Sequence, residues 1–231
     1  MQKGLIARIV IALFVLVIFI SAGLIYVINV MPWMEWDNTE DDINTVLPGD
    51  NLTRDPNWQY THAITINAPA GRIWPWVDQI GQDRGGFYSY TMLENLAGCN
   101  ISNADRIHPE WQYKGDGSEN LILHPKMPPL KVEKAIPGVV LIAHAGNYIN
   151  AKTGKALTKK DRDYINMTWV FYLQKLDWNK TRLLVRWRAC YYPSKDNEMW
   201  YGPKITGFMN FIMGDAMIRG IKDRAEKSKI E

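Results

Sequence analysis

Between Gly81 and Gln112 the chain reads GQDRGGFYSYTMLENLAGCNISNADRIHPEWQ, the stretch densest in polar and aromatic groups together. Asp105, Arg106, His108 and Glu110 fall within it. Asp105 or Glu110 is the type of group that acts as a general base beside a cavity, with Arg84 or Arg106 holding a developing anion. The same charges have a second use. Paired with one another they would lock the loop against a sheet, because buried charges persist mainly when paired. Pairing is the expectation and acid–base catalysis the alternative. A metal on Asp105, His108 and Glu110 would crowd three ligands into one short loop beside Arg106, and no metal is expected there.

Elsewhere the chemistry is sparse. His62, His108, His124 and His144 are dispersed and match no zinc spacing. No Gly-x-Ser-x-Gly elbow, P-loop or dinucleotide fingerprint is present, so no cofactor is expected and Gly85-Gly86 reads as a turn. Cys99 and Cys190 are the only cysteines, which excludes a disulfide scaffold. They read as two separate buried thiols, with pairing left open. Arg182, Arg186 and Arg188 alternate with Leu183, Val185, Trp187 and Ala189, which places the arginines on an outer, solvated sheet face. The alternative turns Arg186 or Arg188 inward to hold an anionic head group. With Lys3 and Arg8 set aside, 25 basic residues face 24 acidic ones. That balance gives no footprint for nucleic acid.

These side chains have to be positioned by a small set of elements. Ile9 to Ile28 is free of charge and long enough to cross a hydrocarbon core of about 30 Å. Lys3 and Arg8 precede this run and an acidic stretch follows it, so a single-pass helix with a cytoplasmic N-terminus and an extracytoplasmic main domain is expected. Residues 1–31 form this anchor, residues 32–57 an acidic linker, and residues 58–231 the main domain. Pro32, Trp33 and Trp36 fit an interfacial belt, and Lys152, Lys155, Lys159, Lys160 and Arg162 a solvated basic loop.

From Tyr60 to Ile66 apolar and polar residues alternate, the mark of a strand with one buried face. Ile73, Trp74, Val77 and Ile80 then recur at helical spacing, with Pro75 expected to kink or restart the helix. Tyr88 to Leu96 predicts a second short helix. Strands are predicted over 120–123, 131–136, 139–145, 165–176 and 181–191. Ile205 to Ile221 reads as a long amphipathic helix, in which Met209, Met213 and Met217 would form a thioether stripe that serves as core or adapts to an apolar ligand. Gly207, Gly214 and Gly220 cost that helix about 1 kcal/mol each, which implies close backbone approach. The fold class is α+β, a curved antiparallel sheet covered by the last helix.

Several segments resemble the START-like helix-grip superfamily, also called SRPBCC or polyketide cyclase-like. They are Ile64-Thr-Ile-Asn-Ala-Pro, Ile73-Trp-Pro-Trp, Gly81-Gln-Asp-Arg-Gly-Gly-Phe-Tyr-Ser-Tyr, Leu93-Glu-Asn-Leu, Ala104-Asp-Arg-Ile-His-Pro-Glu-Trp-Gln, Thr181-Arg-Leu-Leu-Val-Arg and Gly220-Ile-Lys-Asp-Arg-Ala-Glu. The middle block is similar to one prokaryotic branch, to which the N-terminal anchor is an addition. The resemblance implies an apolar cavity between sheet and last helix that holds a lipid or other hydrophobic small molecule, and in a minority of members a cyclase, dehydratase or hydrolase reaction. Its lining would come from Trp74, Phe87, Tyr88, Tyr90, Trp111 and Trp169, and on the last helix from Phe208, Met209, Ile212, Met213 and Met217.

Overall fold

The computed structural model describes residues 2–30, 38–125, 127, 129–146 and 157–227. Its strands are β1 (Trp58–Ile66), β2 (Asn120–Leu121), β3 (Leu130–Ile136), β4 (Val140–Gly146), β5 (Ile165–Asp177) and β6 (Lys180–Tyr191). They form one antiparallel sheet in the order β1-β6-β5-β4-β3-β2. The α+β layout read from the sequence is the one that forms. Consecutive hairpins build β3 to β6, one of them turning at Gly138 in the left-handed region, and β1 closes the far edge beside β6.

The helices are α1 (Gln2–Val30), α2 (Glu40–Asn44), α3 (Ala70–Asp78), α4 (Thr91–Leu96), α5 (Lys195–Tyr201), α6 (Ile205–Met209) and α7 (Asp215–Lys227). A π turn over Asn210–Gly214 joins α6 to α7, so the last helix is continuous. Pro75 sits inside α3 without ending it. The carbonyl that proline leaves without a donor is four residues back, on exposed Gly71, where water can reach it. The second short helix begins only at Thr91, because Tyr88 has a φ of 57° that no right-handed helix holds.

Both faces of the sheet are buried. On the concave face Ile64, Ile66, Phe171, Leu183 and Val185 pack with Met217, Ile218, Ile221 and Ala225 of α7. The face of the last helix that meets the sheet is the row Gly207, Phe211, Gly214, Ile218, Ile221 and Ala225. A row at i, i+4, i+8 slips about 40° per step around a helix of 3.6 residues per turn. The methionines therefore do not form one inward stripe: Met217 is buried, Met213 half-buried and Met209 42 % exposed. Gly220 is where close approach is tightest, since a Cβ there would lie 2.2 Å from the Tyr88 carbonyl oxygen.

On the convex face Ala63, Val140, Ile142, Val170 and Leu184 pack with Leu47, and Leu52 joins them. The stretch read as an acidic linker is thus a folded layer from residue 38 onward. Thr39 and Asp42 cap α2 reciprocally, the Asp42 amide donating to Thr39 Oγ1 (3.2 Å) and the Thr39 amide to Asp42 Oδ2 (2.8 Å). Gly49 (φ 95°) lies so close to the sheet that a Cβ would meet Ile142 Cγ2 at 2.9 Å.

The arginines face this layer and are not solvated. Arg186, 1 % exposed, donates from Nε to Thr61 Oγ1, from Nη1 to Thr45 O and Asp50 Oδ2, and from Nη2 to Asp42 O and Ile43 O. Those acceptors match the five N–H donors of a guanidinium. Arg182 grips Asp42 with two nitrogens (3.2 and 2.6 Å), and Arg188 donates to Thr53 O and Gln59 Oε1. Burial alone would raise the Asp42 carboxyl. The Arg182 and Thr39 hydrogen bonds outweigh it and hold the group below the usual aspartate value. The acidic residues that made this stretch look like a spacer are the ones the arginines need.

α1 is long and apolar enough to cross a membrane, and its span Arg8–Tyr26 is unburied. Pro32, Trp33, Trp36, Lys152 and Lys155 lie outside the described residues.

Candidate ligand site

The alternation in β1 sends Tyr60 and His62 to the concave face with Ile64 and Ile66. Register then sets Trp187 of β6 opposite Tyr60, and Trp169 of β5 opposite Trp187. Trp169 and Trp187 meet edge to face at 6.1 Å, Phe171 lies 4.7 Å from Trp169, and Phe87 reaches it from the loop at 6.2 Å. Trp58 stacks on Tyr60 at 6.1 Å. The result is a continuous aromatic wall at the end of the sheet that faces α6 and the π turn.

Within this wall the polar groups are incompletely paired. The Tyr60 hydroxyl is hydrogen-bonded to His62 Nε2, which also lies 3.2 Å from the Asn210 carbonyl oxygen of the π turn. His62 Nδ1 and Trp187 Nε1 are buried without a hydrogen-bond partner. An unpaired buried polar atom costs about 1–3 kcal/mol, so it invites a partner from outside the chain. Burial drives the imidazole down to about 4, against the pull of the Asn210 carbonyl and of Asp215, so His62 is neutral at pH 7. Single π turns recur at functional sites, and this one lies directly over His62: a Cβ on Gly214 would be 3.0 Å from His62 Cδ2.

Two open crevices flank this end of the molecule. One, of about 490 Å³, is bordered by Ser89, Tyr90, Thr91, Met92, Leu93 and Ile212. The other, of about 460 Å³, lies between Trp58 and Tyr191 on one side and Lys195, Glu198 and Pro203 on the other.

The loop from Gly81 to Gln112 straps the last helix from the other side, and amides rather than paired charges hold it. Gln79, fully buried, donates to Arg106 O (3.1 Å) and accepts from the His108 amide (2.9 Å). Asn103 accepts from the Tyr88 amide (2.7 Å) and donates to Ser89 O (2.9 Å), which fixes Tyr88 in its left-handed conformation. From α7, Arg224 donates to Ala104 O (2.9 Å) with its guanidinium 4.7 Å from the Tyr88 ring centre. The expected pairing among Asp105, Arg106, Glu110 and Arg84 does not form. Arg84 pairs with Glu119 at 3.0 Å, Glu110 with His108 at 3.0 Å, and Asp105 and Arg106 are exposed. The Glu110 carboxyl is held below the usual glutamate value by its own backbone amide and by His108, which makes it a weaker base than an ordinary glutamate. Asp78 behaves in the opposite way: burial raises it to about 6, against hydrogen bonds from Trp74 and the Tyr113 backbone.

No family model matches the sequence, and no curated protein matches it at significance. In structure the chain is similar to a hypothetical protein from Helicobacter pylori, with a TM-score of 0.45 and 12% identity over 83% of this chain and 99% of that one. It is also similar to the ZhuI aromatase/cyclase from a Streptomyces species (TM-score 0.37, 13% identity, 73% of this chain and 93% of that one). CalU16 from Micromonospora echinospora matches with a TM-score of 0.32 and 13% identity, over 73% of this chain and 83% of that one. The chain has a helix-grip-like α+β fold, a six-stranded antiparallel sheet covered by its last helix.

Within this helix-grip fold the residues nominated from the sequence separate into three groups. Trp169 and, at its edge, Phe87 belong to the aromatic wall, and Phe208, Ile212 and Met213 are half-buried on the part of the last helix nearest it. Trp74, Tyr88 and Met217 are packed in the core, and Trp111 stacks on His108 at 3.7 Å. Tyr90 and Met209 are exposed. The sequence reading passed over Tyr60, His62 and Trp187. Their signal was present in the alternation of their strands, which puts all three on the face that also carries Ile64 and Val185. Cys99 and Cys190 are free buried thiols, and among the described residues no three His, Cys, Asp or Glu side chains gather as a metal site.

Proposed function

We propose that this protein is a membrane-tethered binding or carrier domain for an apolar or amphipathic small molecule of the lipid class. The ligand lies against the aromatic wall between sheet and last helix, with α1 as the tether. The observation that carries this reading is the pair of buried, unpartnered nitrogens, Trp187 Nε1 and His62 Nδ1, set in an otherwise apolar wall. Such a surface suits a molecule with a large apolar body and one or two oxygens, since apolar burial supplies affinity and a few placed polar groups supply orientation. An oxygen acceptor on the ligand would take the Trp187 N–H.

Phe87, Trp169, Phe208, Ile212 and Met213 are the nominated side chains that remain in this site. Tyr90 belongs to its rim, and Trp74, Tyr88, Trp111 and Met217 support it from the core. Lys3 and Arg8 in the first turns of α1, ahead of its charge-free run, with acidic residues after the helix, support a cytoplasmic N-terminus and an extracytoplasmic domain. Native mass spectrometry of the full chain, purified gently and then offered a bacterial lipid extract, tests the reading. A stoichiometric lipid adduct that weakens in Trp187→Phe is expected. Absence of any adduct, co-purified or taken up, would overturn it.

A further inference from the structure

The helix α4 is built with its polarity reversed. Its carboxylate, Glu94, is 5 % exposed and accepts from Ser89 Oγ at 2.5 Å, whereas Met92, Leu93 and Leu96 are 76 %, 40 % and 85 % exposed. Burial pushes the Glu94 carboxyl up, so the helix turns its charge inward at a cost while its apolar side chains face out. In water the opposite arrangement is favoured.

This inverted face is not isolated. The crevice bordered by Tyr90 to Leu93 also touches Ile212 of the π turn, and Met209 (42 % exposed) lies one turn back on α6. Thr206 of α6 is hydrogen-bonded to the Trp200 carbonyl of α5, where Met199 and Trp200 are 45 % and 60 % exposed. α1, the apolar helix long enough to span a bilayer, lies in contact with α6. The exposed apolar residues of α4, α5 and α6 are therefore gathered at the end of the domain where its own hydrophobic anchor arrives. Leucine and methionine set among tyrosine and tryptophan is the composition that favours the boundary between head groups and acyl chains.

We propose that the α4–α5–α6 end of the domain seats in the surface of the bilayer that α1 crosses, with Met92, Leu96 and Trp200 immersed. The crevice beside Tyr90 and Ile212 then opens onto lipid rather than onto water. The proposal rests on α1 being a membrane tether; its surface meets the proposed ligand site only at Tyr90 and Ile212, and its immersed residues Met92, Leu96 and Trp200 lie outside that site.

Spin labels on the full chain reconstituted in phosphatidylcholine–phosphatidylglycerol vesicles test it, with single substitutions Met92→Cys, Leu96→Cys, Phe14→Cys and Trp178→Cys. Both native thiols are buried, so the introduced cysteine takes the label. Trp178, 82 % exposed at the β5–β6 turn, is at the opposite end of the sheet and serves as the aqueous reference. Labels at 92, 96 and 14 should be several-fold more accessible to oxygen, relative to a water-soluble nickel complex, than the label at 178. If 14 is in lipid while 92 and 96 match 178, the tether stands and the docking proposal fails. If 14 also matches 178, the tether fails and the proposal with it. Spin–spin broadening at 96 that disappears on dilution with unlabelled chain would mean that a second copy covers the face, and would also overturn it.

Discussion

The two faces of the sheet are buried to the same degree and handle polarity in opposite ways. On the convex face Arg186 spends its donors on the layer from Asp42 to Asp50, and Asn166 links Thr53 (2.9 Å) to His144 (2.8 Å). On the concave face large aromatics dominate, and His62 Nδ1 and Trp187 Nε1 are left without partners. The convex face is tied mostly by the chain itself, with Asp50 Oδ1 alone of that clamp left without a partner among the described residues, and the clamp fixes where residues 38–57 run. On the concave face the two unpartnered nitrogens sit among aromatics, where the ligand proposed above would meet them. The proposed site therefore lies on the aromatic face, and the dense charges of the other face serve the clamp on residues 38–57.

The largest effect should come from breaking the clamp on the convex face. Arg186→Ala leaves the buried Asp50 with only the more distant Arg188 (3.6 Å) as an ion-pair partner and strips five acceptors of their donor, and loss of one member of such a buried pair costs about 3–5 kcal/mol. Thermal melts of the full chain in detergent should show a large drop, and limited proteolysis should cut within residues 38–57. A loss below about 1 kcal/mol would mean that the convex layer is not held by this clamp. Arg186→Met together with Asp50→Leu should recover much of the loss, because apolar replacements of similar volume often substitute for buried pairs.

Next come two glycines, one on each side of the sheet. Gly220→Ala forces a Cβ against the Tyr88 backbone, and Gly49→Ala meets Ile142 at a positive φ. Overpacking typically costs about 1–3 kcal/mol. Since backbone yields less than an isoleucine methyl, Gly220→Ala should be the worse of the two in urea unfolding. The reverse order would mean that the loop over α7 is softer than the convex layer.

Much of this architecture was legible in the sequence. The period of two in β1 and β6 and the long apolar rhythm from Ile205 onward specify a sheet with a covering helix, because burial of one face writes itself directly into residue order. The α2 layer was not legible. Asp42 and Asp50 look solvated until Arg182 and Arg186, well over a hundred residues later, are known to lie against them. Local charge composition cannot reveal a long-range pairing. The site was missed for a related reason: His62 and Trp187 are ordinary members of alternating strands, and only register across β1 and β6 together with the helix above makes them neighbours of a common space. Asp105 and Glu110 drew attention because charges cluster there in sequence, yet that loop is tied down by Gln79 and Asn103.

A subtler contrast is in pH. Asp78 in the folded chain keeps its proton up to about 6 rather than 3.8, so its contribution is fully present below about 4 and is lost as pH rises through 6. His62 titrates near 4 rather than 6.5, so its contribution is present above about 6.5 and is lost as pH falls toward 4. Between pH 4 and 6 the two slopes oppose each other. Asp78→Asn should unmask the histidine, giving stability that falls by on the order of 2 kcal/mol on acidification through this window. His62→Gln should unmask the aspartate and give a fall in the other direction. Parallel pH profiles of the two variants would contradict both assignments.

The smallest effect is the most informative about the aromatic face. Trp187→Phe keeps an aromatic ring in the wall but removes part of the indole's volume along with the N–H, so on the chain alone the relief of an unpaired donor is offset by a small cavity and stability should fall by about 1 kcal/mol. With ligand bound it removes one hydrogen bond, worth about 0.5–1.5 kcal/mol, which corresponds to a loss of affinity of up to roughly tenfold. Melting temperatures with and without lipid separate the two consequences. A variant slightly less stable than the parent when empty, and in addition stabilised less by lipid, is the signature of a donor reserved for a ligand. Equal stabilisation by lipid in both chains would assign the indole N–H no part in binding and return Trp187 to the core.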